Sequence, residues 1–261
     1  MRRWSVGVLV LGAVLFATIL IVSRSRAKSA DGDGPVVPSV VPARPPISEF
    51  ADDFSSPSLD ASRWALCSEG DFKEKVADVL EGRLRLRCGT IGTDDRTVKF
   101  LGVRSASPLK LSRETRVSAE LDWNNQPNGC YLSGALILSP QDTSGNPLTG
   151  PDWLRVEYVG VPPGKNGRLV VASRTGGRER YLFTEGWPEK DRQGRPISLQ
   201  KVDLVLKGGG FELIENGTVV YECKDKVVSF PSAHLYIQMS SHSNYPPRQI
   251  FFDNVRWSAA E

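Results

Sequence analysis

"FELIENGTVVYEC", residues 211–223, spells out a hairpin. Two runs rich in β-branched and aromatic residues flank Asn216-Gly217, the dipeptide that best accepts the positive φ angles of a two-residue turn. The same punctuation recurs at Glu81-Gly82 in "VADVLEGRLRL" and at Gly176-Gly177 in "LVVASRTGGRERYLF". Between such turns apolar and polar residues alternate. "GRLRLRC" (82–88) sets Leu84 and Leu86 against Arg83, Arg85 and Arg87, and "RVSAELDW" (116–123) sets Val117, Ala119, Leu121 and Trp123 against Arg116, Ser118, Glu120 and Asp122. "WLRVEYVG" (153–160) and "HLYIQMSS" (234–241) repeat the pattern with Leu154, Val156, Tyr158 and with Leu235, Ile237, Met239. A period of two with one apolar face describes antiparallel strands half covered by a second sheet. After residue 46 no stretch holds a helical period for ten residues; the nearest, "SEGDFKEKVADVL" (68–80), reads as one short helix or an edge strand. The expected fold is all-β, a two-sheet antiparallel sandwich.

Outward from the strands, the chain begins with a different chemistry. Residues 4–23 carry no charge, and 20 residues of helix rise about 30 Å, the thickness of a bilayer core. The run meets Arg24, Arg26 and Lys28 directly, without the small residues that a cleavage site wants, so residues 1–28 read as an uncleaved signal anchor with one transmembrane helix. Residues 29–46, "SADGDGPVVPSVVPARPP", read as an extended Pro-rich linker, and residues 47–261 as the folded domain. Of the net charge of +3, the first 46 residues carry +4, from six basic and two acidic residues; the remainder holds 27 basic and 28 acidic residues. A near-neutral domain without a basic stripe excludes nucleic acid as its main partner. An export signal also favours disulfides over buried thiols. Cys67 follows the opening strand and Cys88 ends a strand that could lie beside it, so Cys67–Cys88 is the favoured pair, leaving Cys130 and Cys223. "NGT" at 216–218 matches a glycosylation sequon, which the hairpin tip explains by itself.

The opening "FADDFSSPSLDASRW" (50–64), the hairpin "VLEGRLRL", the strand "YLSGALILS" (131–139), the hairpin "FELIENGTVVYE" and the closing "RQIFFDNVRW" (248–257) come in an order that resembles the concanavalin A-like lectin/glucanase superfamily. The resemblance covers residues 48–258 and implies a jelly roll that binds glycan on one sheet face. Its glucanase members hydrolyse glycans with carboxylates in a Glu-x-Asp-x-x-Glu pattern on one strand. The matching strand here is "WLRVEYVG", which offers only Glu157; Glu120 and Asp122 in "AELDW" are a second carboxylate pair, with a solvated polar face as the plainer reading. The resemblance also implies a structural calcium ion at Asp253, helped by Asp52 and Asp53; such an ion wants about six to eight oxygens.

Sugar binding asks for aromatic rings to stack on C–H faces and for amides or carboxylates to bond hydroxyls. Trp153, Arg155 and Glu157 share one strand face, Tyr236, Gln238 and Ser240 another, and Trp187, Asn244 and Tyr245 lie in polar loops. Trp64 and Trp257 are expected in the core. These readings lead to a membrane-tethered, extracytoplasmic sandwich whose partner is carbohydrate or cell-envelope polymer, without catalysis. A glycan-cleaving enzyme of the same superfamily, or a protein-interaction module, are the alternatives.

Overall fold

The computed structural model describes residues 44–91, 98–123, 132–159, 168–185, 199–242 and 245–260. They form two antiparallel sheets and, apart from one 3-10 turn, no helix. In spatial order the first sheet runs β14 (Thr218–Cys223), β13 (Gly210–Glu215), β12 (Gln200–Lys207), β7 (Glu114–Asp122), β16 (Tyr245–Ala259), β4 (Arg83–Thr90) and β3 (Phe72–Leu80), with β1 (Glu49–Asp52) also on β16. The second runs β11 (Arg178–Glu185), β10 (Arg168–Thr175), β9 (Trp153–Val159), β8 (Leu132–Ser139), β15 (Ser232–His242), β5 (Val98–Ser105) and β2 (Trp64–Glu69), with β6 (Leu109–Lys110) also on β15.

Alternation places the core. Leu84 and Leu86 of β4, Val117 and Leu121 of β7, and Ile250 and Phe252 of β16 face Leu136 of β8, Leu154 and Val156 of β9, and Leu235 and Ile237 of β15 in one apolar layer. Each such side chain contributes about 1.5–3 kcal/mol when fully buried. The three expected turns are built as their residues require: Asn216 and Gly217, Glu81 and Gly82, and Gly176 and Gly177 all have positive φ. The segment that read as short helix or strand is the edge strand β3. It is held to β4 by cross-strand ion pairs, Arg85 to Asp78 at 2.6 Å and Arg87 to Glu74 at 2.5 Å. At the start of the domain, the Trp64 indole N–H donates to Asp52 Oδ2 at 2.7 Å while its rings meet Phe50 and Phe54. That contact explains the acidic, aromatic opening stretch. Trp257 is likewise buried, its indole N–H donating to the Lys110 carbonyl at 3.0 Å.

The favoured disulfide is corrected. Cys67 lies on β2, which pairs with β5 in the second sheet, whereas Cys88 lies on β4, between β3 and β16 in the first. Cys88 points into the central core and Cys67 away from it, and the thiols of Cys67, Cys88 and Cys223 are all free. Cys130, the expected partner of Cys223, is outside the described residues, as is the expected transmembrane helix. Among the described residues no helix is long and apolar enough to cross a membrane.

Candidate functional site

The outer face of the second sheet carries the site, and its register can be read as rows running across the strands. One row is Val170, Glu157, Ala135, Gln238 and Gly102, from β10 through β9, β8 and β15 to β5. The next is Ala172, Arg155, Ile137, Tyr236 and Arg104, and on the other side lies Arg168, Val159, Ser133, Ser240 and Phe100. The sequence therefore brings Trp153, Arg155, Glu157, Tyr236 and Gln238 to one face of one sheet.

That face is divided in two by the segment between β8 and β9. Residues 140–152, with a 3-10 turn at Pro147–Thr149, fold over one end and bury Trp153 and Tyr236, which are 1% and 0% exposed. The Tyr236 hydroxyl donates to the Gln141 carbonyl at 2.5 Å and accepts from the Thr143 N–H at 3.1 Å; the Trp153 indole donates to the Leu148 carbonyl at 3.1 Å. These two aromatics hold the covering segment and are not a stacking platform. This corrects their assignment as ligand-binding residues, because a sugar cannot reach rings sealed under backbone. Alternation could not reveal the cover, which comes from a loop of no regular period.

Beyond the cover lies an open pit of about 270 Å³, lined by Ser133, Arg155, Glu157, Arg168, Gln238, Ser240, Tyr181, Phe100 and neighbouring side chains. Glu157 Oε1 accepts from the Ser133 hydroxyl at 2.6 Å, and Ser133 Oγ lies 2.5 Å from Ser240 Oγ. A hydroxyl has one proton. Ser133 gives its own to Glu157, so Ser240 donates to Ser133 and the relay points at the carboxylate. Glu157 Oε2 lies 3.4 Å from Arg155 Nε, and the Arg155 guanidinium also rests over the Trp153 ring at 5.5 Å. A hydroxyl donor holds one oxygen and a cation stands beside the other, so the Glu157 carboxylate is fixed in the pit. The positions two and four residues before it on the same face are Arg155 and Trp153. No second carboxylate from β9 stands at the roughly 5–5.5 Å that a retaining pair requires. Ser133 and Arg168 were not singled out by sequence reading; the signal was the period of two in "YLSGALILS" and "RLVVASRT".

No protein-family model and no curated protein matches the sequence. Solved structures do. The chain is similar to a Bacillus licheniformis β-glucanase, with TM-score 0.57 at 12% identity, over 82% of this chain and 99% of that one. The chain has the concanavalin A-like lectin/glucanase fold. Similar values hold for a structure belonging with endo-acting O-glycanases of the human gut microbiota, at TM-score 0.57, 15% identity and 81% and 99% coverage. A Clostridium perfringens endo-β-galactosidase that releases GlcNAcα1-4Gal matches at TM-score 0.56 and 12% identity, over 83% of this chain and 65% of that one. The chain spans only 19% of a sialidase that it matches at TM-score 0.51 and 14% identity. These neighbours correct the expectation of a non-catalytic module: the β-glucanase, O-glycanase and endo-β-galactosidase that match most of this chain are named for cleaving glycans.

The other candidates fall elsewhere. Glu120 and Asp122 lie on the outer face of the first sheet, each with its own cation: Lys201 at 3.0 Å from Glu120, and Arg83 at 3.1 Å from Asp122. A wide depression of about 940 Å³ on that sheet is lined by Arg116, Ser118, Glu120, Lys201, Asp203 and Arg256, with Arg116 and Ser118 both bonded to Asp203. At the expected calcium position, Asp52 accepts from the Phe54 N–H and the Trp64 indole, and Asp253 Oδ1 accepts from the Asn254 N–H at 2.7 Å. Burial pushes the Asp253 carboxyl above its usual range, with Glu120 and Asp53 adding to the effect. Among the described residues no three Asp, Glu, His or Cys side chains converge as a metal site. Asp52 and Asp253 thus spend carboxylate oxygens on backbone and indole donors. Trp187 and Asn244 are outside the described residues, and of Tyr245 only the backbone, in β16, is described.

Proposed function

We propose that this protein is a glycan-cleaving enzyme of glycoside-hydrolase type, working in the pit on the outer face of the second sheet with Glu157 as its proton-accepting carboxylate. The observation that carries the reading is the Ser240–Ser133–Glu157 relay, which aims two hydroxyls at one carboxylate on the floor of an open site. The fold neighbours named for cleaving glycans support it. In this arrangement an attacking water gives a proton to Glu157 as its oxygen bonds the anomeric carbon, the glycosidic bond breaks and the leaving oxygen takes a proton from solvent in the open pit, while Arg155 holds the carboxylate in place. An inverting displacement sets its base and its acid about 6.5–9.5 Å apart rather than on neighbouring positions of one strand, and in this pit solvent takes the place of the acid. The uncharged run at residues 4–23 and the Pro-rich segment after it support a membrane-tethered enzyme on the extracytoplasmic side, where polymeric glycan is met.

The test is release of reducing ends from a panel of polysaccharides by the wild-type chain and by Glu157→Gln. Removing a positioned base costs about 10²- to 10⁴-fold in rate, and a loss of that size with folding retained is the expected result. Wild-type activity in Glu157→Gln, or no cleavage of any glycan by the wild type, would sink the assignment.

A further inference from the structure

The pit holds more hydrogen-bonding capacity than the protein satisfies. Arg155 Nε and Arg168 Nε are buried N–H donors without a hydrogen-bond partner, and Gln238 Oε1 is a buried acceptor without one, in a residue only 3% exposed. All three side chains line the same pit as Glu157. Arg155 has Glu157 beside it as an ion-pair partner, whereas Arg168 forms no ion pair among the described residues. Two guanidinium groups thus stand against one carboxylate in a small space. A buried donor left unmet is costly, and more so when charged, so the site is built for something that brings acceptors.

Resting on the reading of this pit as a glycan site, we propose that the sugar unit it takes is anionic, bearing a carboxylate or a sulfate. Arg155 and Arg168 bond the anion, the planar fork of arginine matching oxygens of this geometry. The amide oxygen of Gln238 accepts from a hydroxyl of the same unit. A neutral hexose brings hydroxyls alone and adds no counter-charge to Arg168, which has no ion pair among the described residues. An anion satisfies both the donors and the charge. Arg168 sits on β10 and Gln238 on β15, three strands apart, so the unit lies across β9 and β8 with Glu157 beneath it.

The experiment measures binding and cleavage by the full chain in mild detergent. The probes are a neutral β-glucan oligosaccharide, an oligouronate, the same oligouronate with its carboxyls reduced, and a sulfated galactan oligosaccharide. Each is repeated with Arg168→Gln, whose folding is checked by its unfolding midpoint. The expected result is preference for an anionic probe, weakened tenfold or more by Arg168→Gln and by rising salt. Loss on carboxyl reduction assigns a uronate; selective uptake of the sulfated probe assigns a sulfate. Equal binding of the neutral and anionic probes, or no effect of Arg168→Gln, overturns the inference while leaving the glycan reading standing. Failure to bind or cleave any of the four overturns both.

Discussion

Gly134 on β8 offers a test of how the two sheets meet. A Cβ added there would lie 2.3 Å from Ile250 Cδ1 and 3.1 Å from Leu121 Cδ1, atoms that belong to the opposite sheet. Carbon atoms prefer separations of about 3.5–4.0 Å, so Gly134→Ala demands more than about 1 Å of movement from a side chain that is 0% exposed. Overpacking of this kind costs about 1–3 kcal/mol. The lost freedom of glycine in the unfolded chain returns about 0.4–1 kcal/mol, leaving a net destabilisation of about 1–2. Ile250→Val deletes the offending Cδ1 and by itself costs about 0.5–1.5 kcal/mol. In that background the new methyl occupies the vacated space, and Gly134→Ala should be close to neutral, Leu121 still requiring a small adjustment. The double variant should therefore be about as stable as Ile250→Val alone, a coupling of about 1–2 kcal/mol. Urea unfolding followed by tryptophan fluorescence measures it, since the chain has six Trp. Residues without contact add within about 0.3–0.5 kcal/mol. Simple additivity would therefore refute the packing of β8 on β16.

Three further outcomes follow from burial and bonding. Burial pushes the thiols of Cys67 and Cys88 up to about 12, so neither should react with a thiol reagent at neutral pH until the protein is unfolded; rapid labelling of either in the native state would contradict their placement. Burial holds His234 below its ordinary value of 6.5, against the pull of its bond to the Ser105 carbonyl. The unfolded chain therefore takes the proton first, and the stability the neutral ring contributes is present above pH 6.5 and lost as pH falls below it. Urea midpoints between pH 7.5 and 5 should decline less steeply in His234→Gln, and an unchanged slope would count against it. Tyr236→Phe removes the hydroxyl that bonds Gln141 and Thr143. It should cost about 1–3 kcal/mol and speed proteolysis within residues 140–152, whereas an unaltered cleavage rate would mean that the segment is held by other contacts.

What could be read in the chain and what could not divides along a physical line. The strands declared themselves because alternation is a local property: Val117, Ala119 and Leu121 point inward whatever partner β7 acquires. The turns at Asn216-Gly217, Glu81-Gly82 and Gly176-Gly177 were equally local, since positive φ restricts residue choice on the spot. The cysteine pairing failed because it depended on which strands are neighbours in space. β2 and β4 are close in sequence, yet they belong to different sheets. The site failed and succeeded for the same reason. Sharing a face put Arg155, Glu157 and Gln238 together correctly, because register in an antiparallel sheet preserves alternation across strands. It put Trp153 and Tyr236 there too, but exposure depends on what covers the face. Here the cover is the segment 140–152, whose polar sequence gives no sign that its backbone will accept from an indole and a phenol. The glycan-cleaving reading meets its strongest constraint in the same register. Alternation on β9 puts Arg155 and Val159 on either side of Glu157 on the same face, with Trp153 one place further along. The tryptophan secures the loop and the arginine pairs with the glutamate. What remains for chemistry is one carboxylate, an Arg168 without an ion pair among the described residues and the amide oxygen of Gln238 without a donor.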